Sequence, residues 1–207
     1  MLNDRDDAAK QLAVKLEPHK KENPLVLGVP RGGVPMAKII ADHLGAEFDV
    51  VLVRKIGSPF NPELAAGAVS ESGDVYLNPW AIRDGFDEFK LKDIIAREKL
   101  VIQKRRELFT DGHSPIPVKD KTVIIVDDGI ATGATMIAAI HFLRKQSPRK
   151  IIIATGVMPA DNVERLKPLC DELVVLMVPE NFFGVGQFYE HFDQVQDAEV
   201  IRLLASR

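Results

Sequence analysis

Asp127 and Asp128, with the run Gly129-Ile130-Ala131-Thr132-Gly133-Ala134-Thr135 behind them, are the residues best suited to chemistry in this chain. Two adjacent carboxylates accept hydrogen bonds well from vicinal hydroxyls. A turn of small residues lets backbone N–H groups converge on one point, and Thr132 and Thr135 add hydroxyls. A helix starting after such a turn adds unsatisfied N–H groups and a positive dipole end. Together these make a cradle for a phosphate monoester. Acids at its mouth repel a polyphosphate but hold sugar hydroxyls, so the pattern reads as a site for a pentose 5′-phosphate. A Walker A loop needs Gly-Lys-Ser/Thr, whereas this turn runs Gly-Ala-Thr. A dinucleotide fingerprint needs G-x-G-x-x-G, whereas the spacing here is G-x-x-x-G. A plain strand–turn–helix with a threonine cap accounts for the turn but not for the paired carboxylates.

The elements that must position this run are legible on either side of it. Val123-Ile124-Ile125-Val126 is an apolar, β-branched stretch, as in a strand buried on both faces. A helical pattern follows over 136–146. The site then sits at the carboxyl edge of an open parallel sheet, where α/β folds bind ligands.

Four apolar residues, two acids and a Thr-Gly-x-Thr loop resemble the 5-phosphoribosyl 1-pyrophosphate (PRPP) motif of the type I phosphoribosyltransferases. A second match lies upstream, and the resemblance covers residues 24–190. The first core strand is expected over 25–29, followed by Pro30-Arg31-Gly32-Gly33-Val34-Pro35 and a helix over 36–44. The two glycines let backbone amides approach a ligand, and Arg31 adds charge. Alone, this segment is equally a Gly-rich turn. In the family the loop after the first strand grips pyrophosphate, often with a non-proline cis peptide. Val29-Pro30-Arg31-Gly32-Gly33 resembles that loop, which puts the cis bond between Pro30 and Arg31.

A second strand is expected over 48–53, ending in Arg54-Lys55. Such a pair is either solvated or, at the ligand edge, a further pyrophosphate contact. The stretch 56–64, with Gly57, Ser58, Pro59, Asn61 and Pro62, has the composition of a mobile loop. The family places its closing catalytic loop there, with Glu63 as a member. Short strands over 65–70 and 74–77 flank a turn at Gly73, and a long charged helix is expected over 86–109. Residues 74–118 read as a helical insertion. It is a solvated scaffold helix or, alternatively, a subunit contact or lid.

Core strands over 150–156 and 173–178, with a helix over 160–169, complete an alternation of strands and helices. The expected fold is α/β: a mainly parallel, doubly wound sheet of the type I phosphoribosyltransferase (Rossmann-like) kind, with helices on both faces. The expectation is one domain over 1–207, its core over 24–178. Amphipathic helices are expected over 4–20, with Ala8, Leu12 and Leu16 inward, and over 197–204. Residues 179–192 hold Phe182, Phe183, Phe188 and Tyr189 among glycines. This cluster is either a small satellite core or, by resemblance, the hood that stacks on an acceptor base.

Composition narrows the classes further. With 46% hydrophobic and 28% charged residues, the chain suits a soluble globular protein. A net charge of −3 gives no support to broad nucleic-acid or membrane binding. The single cysteine, Cys170, rules out an internal disulfide and fits a reducing compartment, as buried filler. No signal peptide or apolar span of membrane length is seen, so a cytoplasmic location is expected.

The resemblance implies a Mg²⁺-requiring transfer of 5-phosphoribose from PRPP to a nitrogenous base or related acceptor, with release of pyrophosphate, as in nucleotide salvage. In that reading Asp127, Asp128, Arg31 and Lys55 are catalytic, and Gly129 to Thr135 hold the 5′-phosphate. Pro30, Arg31, Gly32, Gly33, Arg54 and Lys55 hold pyrophosphate. Mg²⁺ rests weakly on Asp127 and Asp128, in part through water. The partners are PRPP, a small acceptor and a second copy of the chain in a homodimer. In the 6-oxopurine members an aspartate precedes the Thr-Gly pair as general base; here the residue is Ala131, which argues against hypoxanthine or guanine. The whole pattern most resembles a bacterial group known only as predicted phosphoribosyltransferases. The alternative is a PRPP-sensing regulator of the same fold, whose nearest basic patch is Lys104-Arg105-Arg106 on the long helix. A PRPP synthase-like fold would require two similar domains in tandem.

Overall fold

A computed structural model describes residues 1–61 and 64–205. The order of elements follows the expected alternation, with one exception in the middle. The central sheet contains β1 (Pro24–Gly28), β2 (Glu47–Val50), β6 (Thr122–Gly129), β7 (Lys150–Val157) and β8 (Glu172–Met177). Its order is β2-β1-β6-β7-β8, with every neighbouring pair parallel. The two faces separate by alternation along the strands. Val26, Ile124 and Ile152 enter one core cluster, while Leu25, Val123, Ile125 and Ile151 enter the other.

Helices cover both faces. On one side lie α1 (Arg5–Leu16), α2 (Gly33–Leu44) and α7 (Asp197–Leu204). The expected inward residues Ala8, Leu12 and Leu16 of α1 are fully buried. On the other side lie α5 (Ala134–Arg144) and α6 (Ala160–Leu166).

The expectation of one strand over 48–53 needs correction. The chain leaves the central sheet after Val50 and re-pairs from Val53. There it starts a separate antiparallel sheet of β3 (Val53–Gly57), β4 (Ala65–Ser70) and β5 (Val75–Leu77). No glycine or proline marks the break, because Val50, Val51 and Leu52 are all apolar and all buried. The turn between β4 and β5 does hold Gly73 at φ 86, as expected. β3 and β4 thus pair as an antiparallel hairpin; Glu63 and Pro62, named in the expected loop, lie outside the described residues.

The long helix also starts later than expected. A short α3 (Pro79–Arg83) comes first, and α4 runs over Lys92–Thr110. It packs on β3, β4 and α7. The picture of a solvated basic run at 104–106 fails for Arg106, which is buried. Its guanidinium donates to Asp49 Oδ1 at 2.9 Å and to Glu71 at 2.6 and 2.7 Å. This ion cluster ties α4 to β2 and to the end of β4. Removing one partner would strand buried charge at a cost of about 3–5 kcal/mol.

Candidate functional site

The carboxyl ends of β1 and β6 open into a cleft of about 350 Å³. Pro30, Arg31 and Gly32 form one wall, and Asp127, Asp128, Gly129 and Thr135 another. Arg54 and Lys55 reach the same cleft from β3, the antiparallel sheet, rather than from the end of a parallel strand. The structure therefore brings together both sequence motifs and the cationic pair, although the third comes by a different route.

β6 extends through the acidic pair to Gly129, longer than its apolar run suggested. The loop after β1 is fastened to it, with Val29 N–H donating to Val126 O at 2.9 Å. The peptide bond between Pro30 and Arg31 is cis, at the position expected. Both glycines of this loop let it lie close against the strand that carries the acidic pair. Gly32 has ordinary right-handed angles, φ −63 and ψ −32. A methyl group there would lie 2.5 Å from Asp128 Cγ and closer still to Oδ2. One on Gly33 would clash first with Val126 O and would lie 3.0 Å from Asp127 Cα. Close approach of protein to protein is what these glycines permit.

The turn 129–135 is held from behind by α6. Asn162, buried, donates from Nδ2 to Ile130 O at 3.2 Å and to Ala131 O at 2.9 Å. Arg165 Nη1 donates to Thr132 O at 3.1 Å. Gly133 has φ 74, a conformation glycine adopts without strain. No side chain caps α5, so the first N–H groups of that helix remain open to a ligand. Of the turn's two hydroxyl residues, Thr135 lines the cleft and Thr132 is exposed outside it.

The two acids are not equivalent. Burial holds the Asp127 carboxyl well above the usual carboxylate range, and the neighbouring Asp128 raises it further. Burial raises Asp128 too, but Arg5 opposes the shift, with Nε donating to Oδ2 at 2.8 Å. Arg5 also donates to Asp193 O at 2.6 Å and stacks over Phe192 at 3.9 Å. Among the described residues no group of three or more His, Cys, Asp or Glu side chains could hold a metal ion. Two carboxylates that share a cleft with cationic side chains fit a hard cation that takes its other ligands from a phosphate substrate.

The aromatic cluster divides. Tyr189 is 5% exposed, and its hydroxyl donates to Asp128 O at 2.6 Å over Gly156. Burial, then the nearby Asp128, pushes its phenol up. Phe188 is buried and stacked with Phe182 at 5.5 Å. Phe183 is 91% exposed. The structure thus makes Tyr189 part of the support beneath the acidic turn. None of the four lines the cleft.

The chain matches the model of the phosphoribosyl transferase domain over residues 2–192. It belongs to that family. A protein of Mycobacterium tuberculosis, named provisionally as a phosphoribosyl transferase, is 42% identical over 205 residues. That match takes in 99% of this chain and 46% of the relative, so the chain spans about half the length of the curated relatives it matches. A ribose-phosphate pyrophosphokinase of Pyrococcus furiosus is 48% identical over 90 residues, 41% of this chain and 32% of that one. A crystal structure from Thermus thermophilus superposes with a TM-score of 0.89 at 43% identity, covering 99% of this chain and 98% of the other.

Two residues of this phosphoribosyl transferase domain, Arg5 and Arg105, escaped sequence reasoning as site residues and reach the site from distant segments. Arg105 carried a signal only as part of a basic triplet, and that triplet pointed to a different partner. Tyr189, named from the sequence for an acceptor base, also reaches the site, at Asp128 O. Among the described residues no helix is long and apolar enough to cross a membrane.

Proposed function

We propose that this chain transfers 5-phosphoribose from PRPP to a nitrogenous acceptor, with release of pyrophosphate. The observation that carries the reading is the composition of one cleft. It gathers two carboxylates, residues at the start of a helix and the cations Arg31, Arg54 and Lys55. PRPP has groups that match: ribose hydroxyls, a monophosphate and a diphosphate. The 90-residue likeness to a protein named for ribose phosphate and a pyrophosphoryl group supports a donor of this kind.

In this reading the turn Gly129 to Thr135 binds the 5′-phosphate through backbone N–H groups and the Thr135 hydroxyl. Asp127 and Asp128 accept hydrogen bonds from the ribose hydroxyls. Their negative charge also lies near the cation that develops at C1′ as the bond to pyrophosphate breaks. Arg31, Arg54 and Lys55 hold the departing pyrophosphate, and the acceptor nitrogen attacks C1′ from the opposite face. Asp127 and Asp128 would hold Mg²⁺, which would supply neutralisation of diphosphate charge. The cations position and stabilise, and the fold needs no covalent nucleophile. Among the hood aromatics Phe183 is the one free to stack on an acceptor. The hood at 179–192 and the helical insertion belong to a single domain with the core, active in the cytoplasm as a homodimer.

The test is calorimetric titration of PRPP with Mg²⁺ on the wild type and on Asp127→Asn/Asp128→Asn. Binding that is lost in the folded double mutant is expected. In Arg31→Ala, PRPP should weaken more than ribose 5-phosphate. A folded wild type that binds no PRPP, or a double mutant that binds it equally, would overturn the reading.

A further inference from the structure

We propose that Arg105, delivered by α4, is a substrate-binding residue that grips the pyrophosphate end of the donor, which makes the helical insertion part of the site. The inference rests on the phosphoribosyl-transfer reading above. Glu98, Ile102 and Arg105 are spaced four and three residues apart, so they share one face of α4. Ile102 and Arg105 line the cleft. Glu98, one turn back, fastens that face to the site by accepting from Arg54 Nε at 2.8 Å.

The charges around Arg105 are already in use. The Glu98 carboxylate bonds Arg54 and also Arg97 Nε, the latter at 3.2 Å. Asp197, at the start of α7, pairs with Arg31 Nη1 at 3.5 Å. Among the described residues Arg105 forms no hydrogen bond or ion pair of its own. Its guanidinium is half-buried, and burial, then Arg54 and Arg31, disfavour its charge, with Asp197 and Glu98 opposing in part. An arginine stays ionised even so. A partly buried charge without a partner is costly unless something pairs with it. Three guanidiniums from three separate elements line the cleft, together with Asp127 and Asp128. A ligand with several anionic oxygens satisfies all three at once, and a diphosphate has that chemistry. Lys104, the adjacent residue, is exposed, as a merely solvated helix face would be.

The experiment titrates inorganic pyrophosphate, PRPP and ribose 5-phosphate, each with Mg²⁺, into the full chain. The proteins are the wild type, Arg105→Met, Arg105→Lys and Lys104→Met. Loss of one charge-assisted contact should weaken pyrophosphate and PRPP by about 10- to 100-fold in Arg105→Met. Ribose 5-phosphate should be unaffected, Arg105→Lys should recover part of the loss, and Lys104→Met should stay within about twofold. Unchanged pyrophosphate affinity in Arg105→Met would sink the proposal. So would an equal loss for ribose 5-phosphate, or an equal loss in Lys104→Met, which would reveal only a net-charge effect. If Arg105→Met does not fold, Arg105→Lys carries the same comparison. Wild-type binding of PRPP with no effect at Arg105 removes this inference alone. Pyrophosphate binding that needs Arg105, without PRPP binding, removes the transferase reading alone. A wild type that binds neither removes both.

Discussion

Gly32→Ala isolates the contact on which the acidic pair depends. At φ −63 and ψ −32 an alanine is conformationally welcome. With free space around it, the substitution would stabilise the protein by about 0.4–1 kcal/mol through the unfolded chain. The space is not free: the new methyl carbon would stand 2.5 Å from Asp128 Cγ. Relief requires the carboxylate to move by roughly an ångström or more, since apolar contacts settle near 3.5–4 Å. Such a shift breaks the 2.8 Å bond from Arg5 Nε to Oδ2, where both side chains are 13% exposed. A charge-assisted bond of this kind is worth about 1.5–3 kcal/mol. The clash therefore wins, and the net effect is a destabilisation of about 1–2 kcal/mol. Urea unfolding measures it, and a double-mutant cycle with Arg5→Met locates it. Gly32→Ala should cost much less when Arg5 is already absent. PRPP affinity should fall as well, because the displaced carboxylate no longer meets the ribose. A Gly32→Ala protein at least as stable as the wild type, with PRPP affinity unchanged, would refute the close approach and the reasoning built on it.

Asn162→Ala removes two donations to the turn and should cost about 2–3 kcal/mol in urea unfolding, with weaker ribose 5-phosphate binding; a cost under about 0.5 kcal/mol would show that the turn stands without α6. Asp127 and Asp128 both have folded-state values raised above an ordinary 3.8. Protonation of these acids therefore favours the folded state, and stability from this source is complete below about 3.8 and lost as pH rises through the raised values. Asp127→Asn should narrow the stability gap between acid and neutral pH, read as the difference from wild type across a urea series; identical slopes for the two proteins would contradict the raised value.

What could be read from the sequence was local. The acidic pair, the Gly/Thr turn and the Pro30–Gly33 loop are short contiguous runs whose residue types state their conformation and chemistry. The alternation of apolar strands and amphipathic helices states the layering. That the core strands pair in parallel follows from their being apolar runs covered on two faces, while the adjacency of β1 and β6 came only from the structure. What the sequence alone could not decide was which distant residues meet. The run from Phe48 to Val53 is apolar throughout, so nothing in it says that pairing changes partner after Val50. That change decides that Arg54 and Lys55 arrive from an antiparallel sheet. Arg5 meets Asp128 across 123 positions and Tyr189 meets it across 61, contacts that no local pattern encodes. Arg105 and Arg106 are adjacent in the chain and alike in type, yet one lines the cleft and the other is buried against Asp49 and Glu71. Their fates differ because each step along a helix turns the side chain about 100°, and only the tertiary packing of α4 sets which direction faces the site.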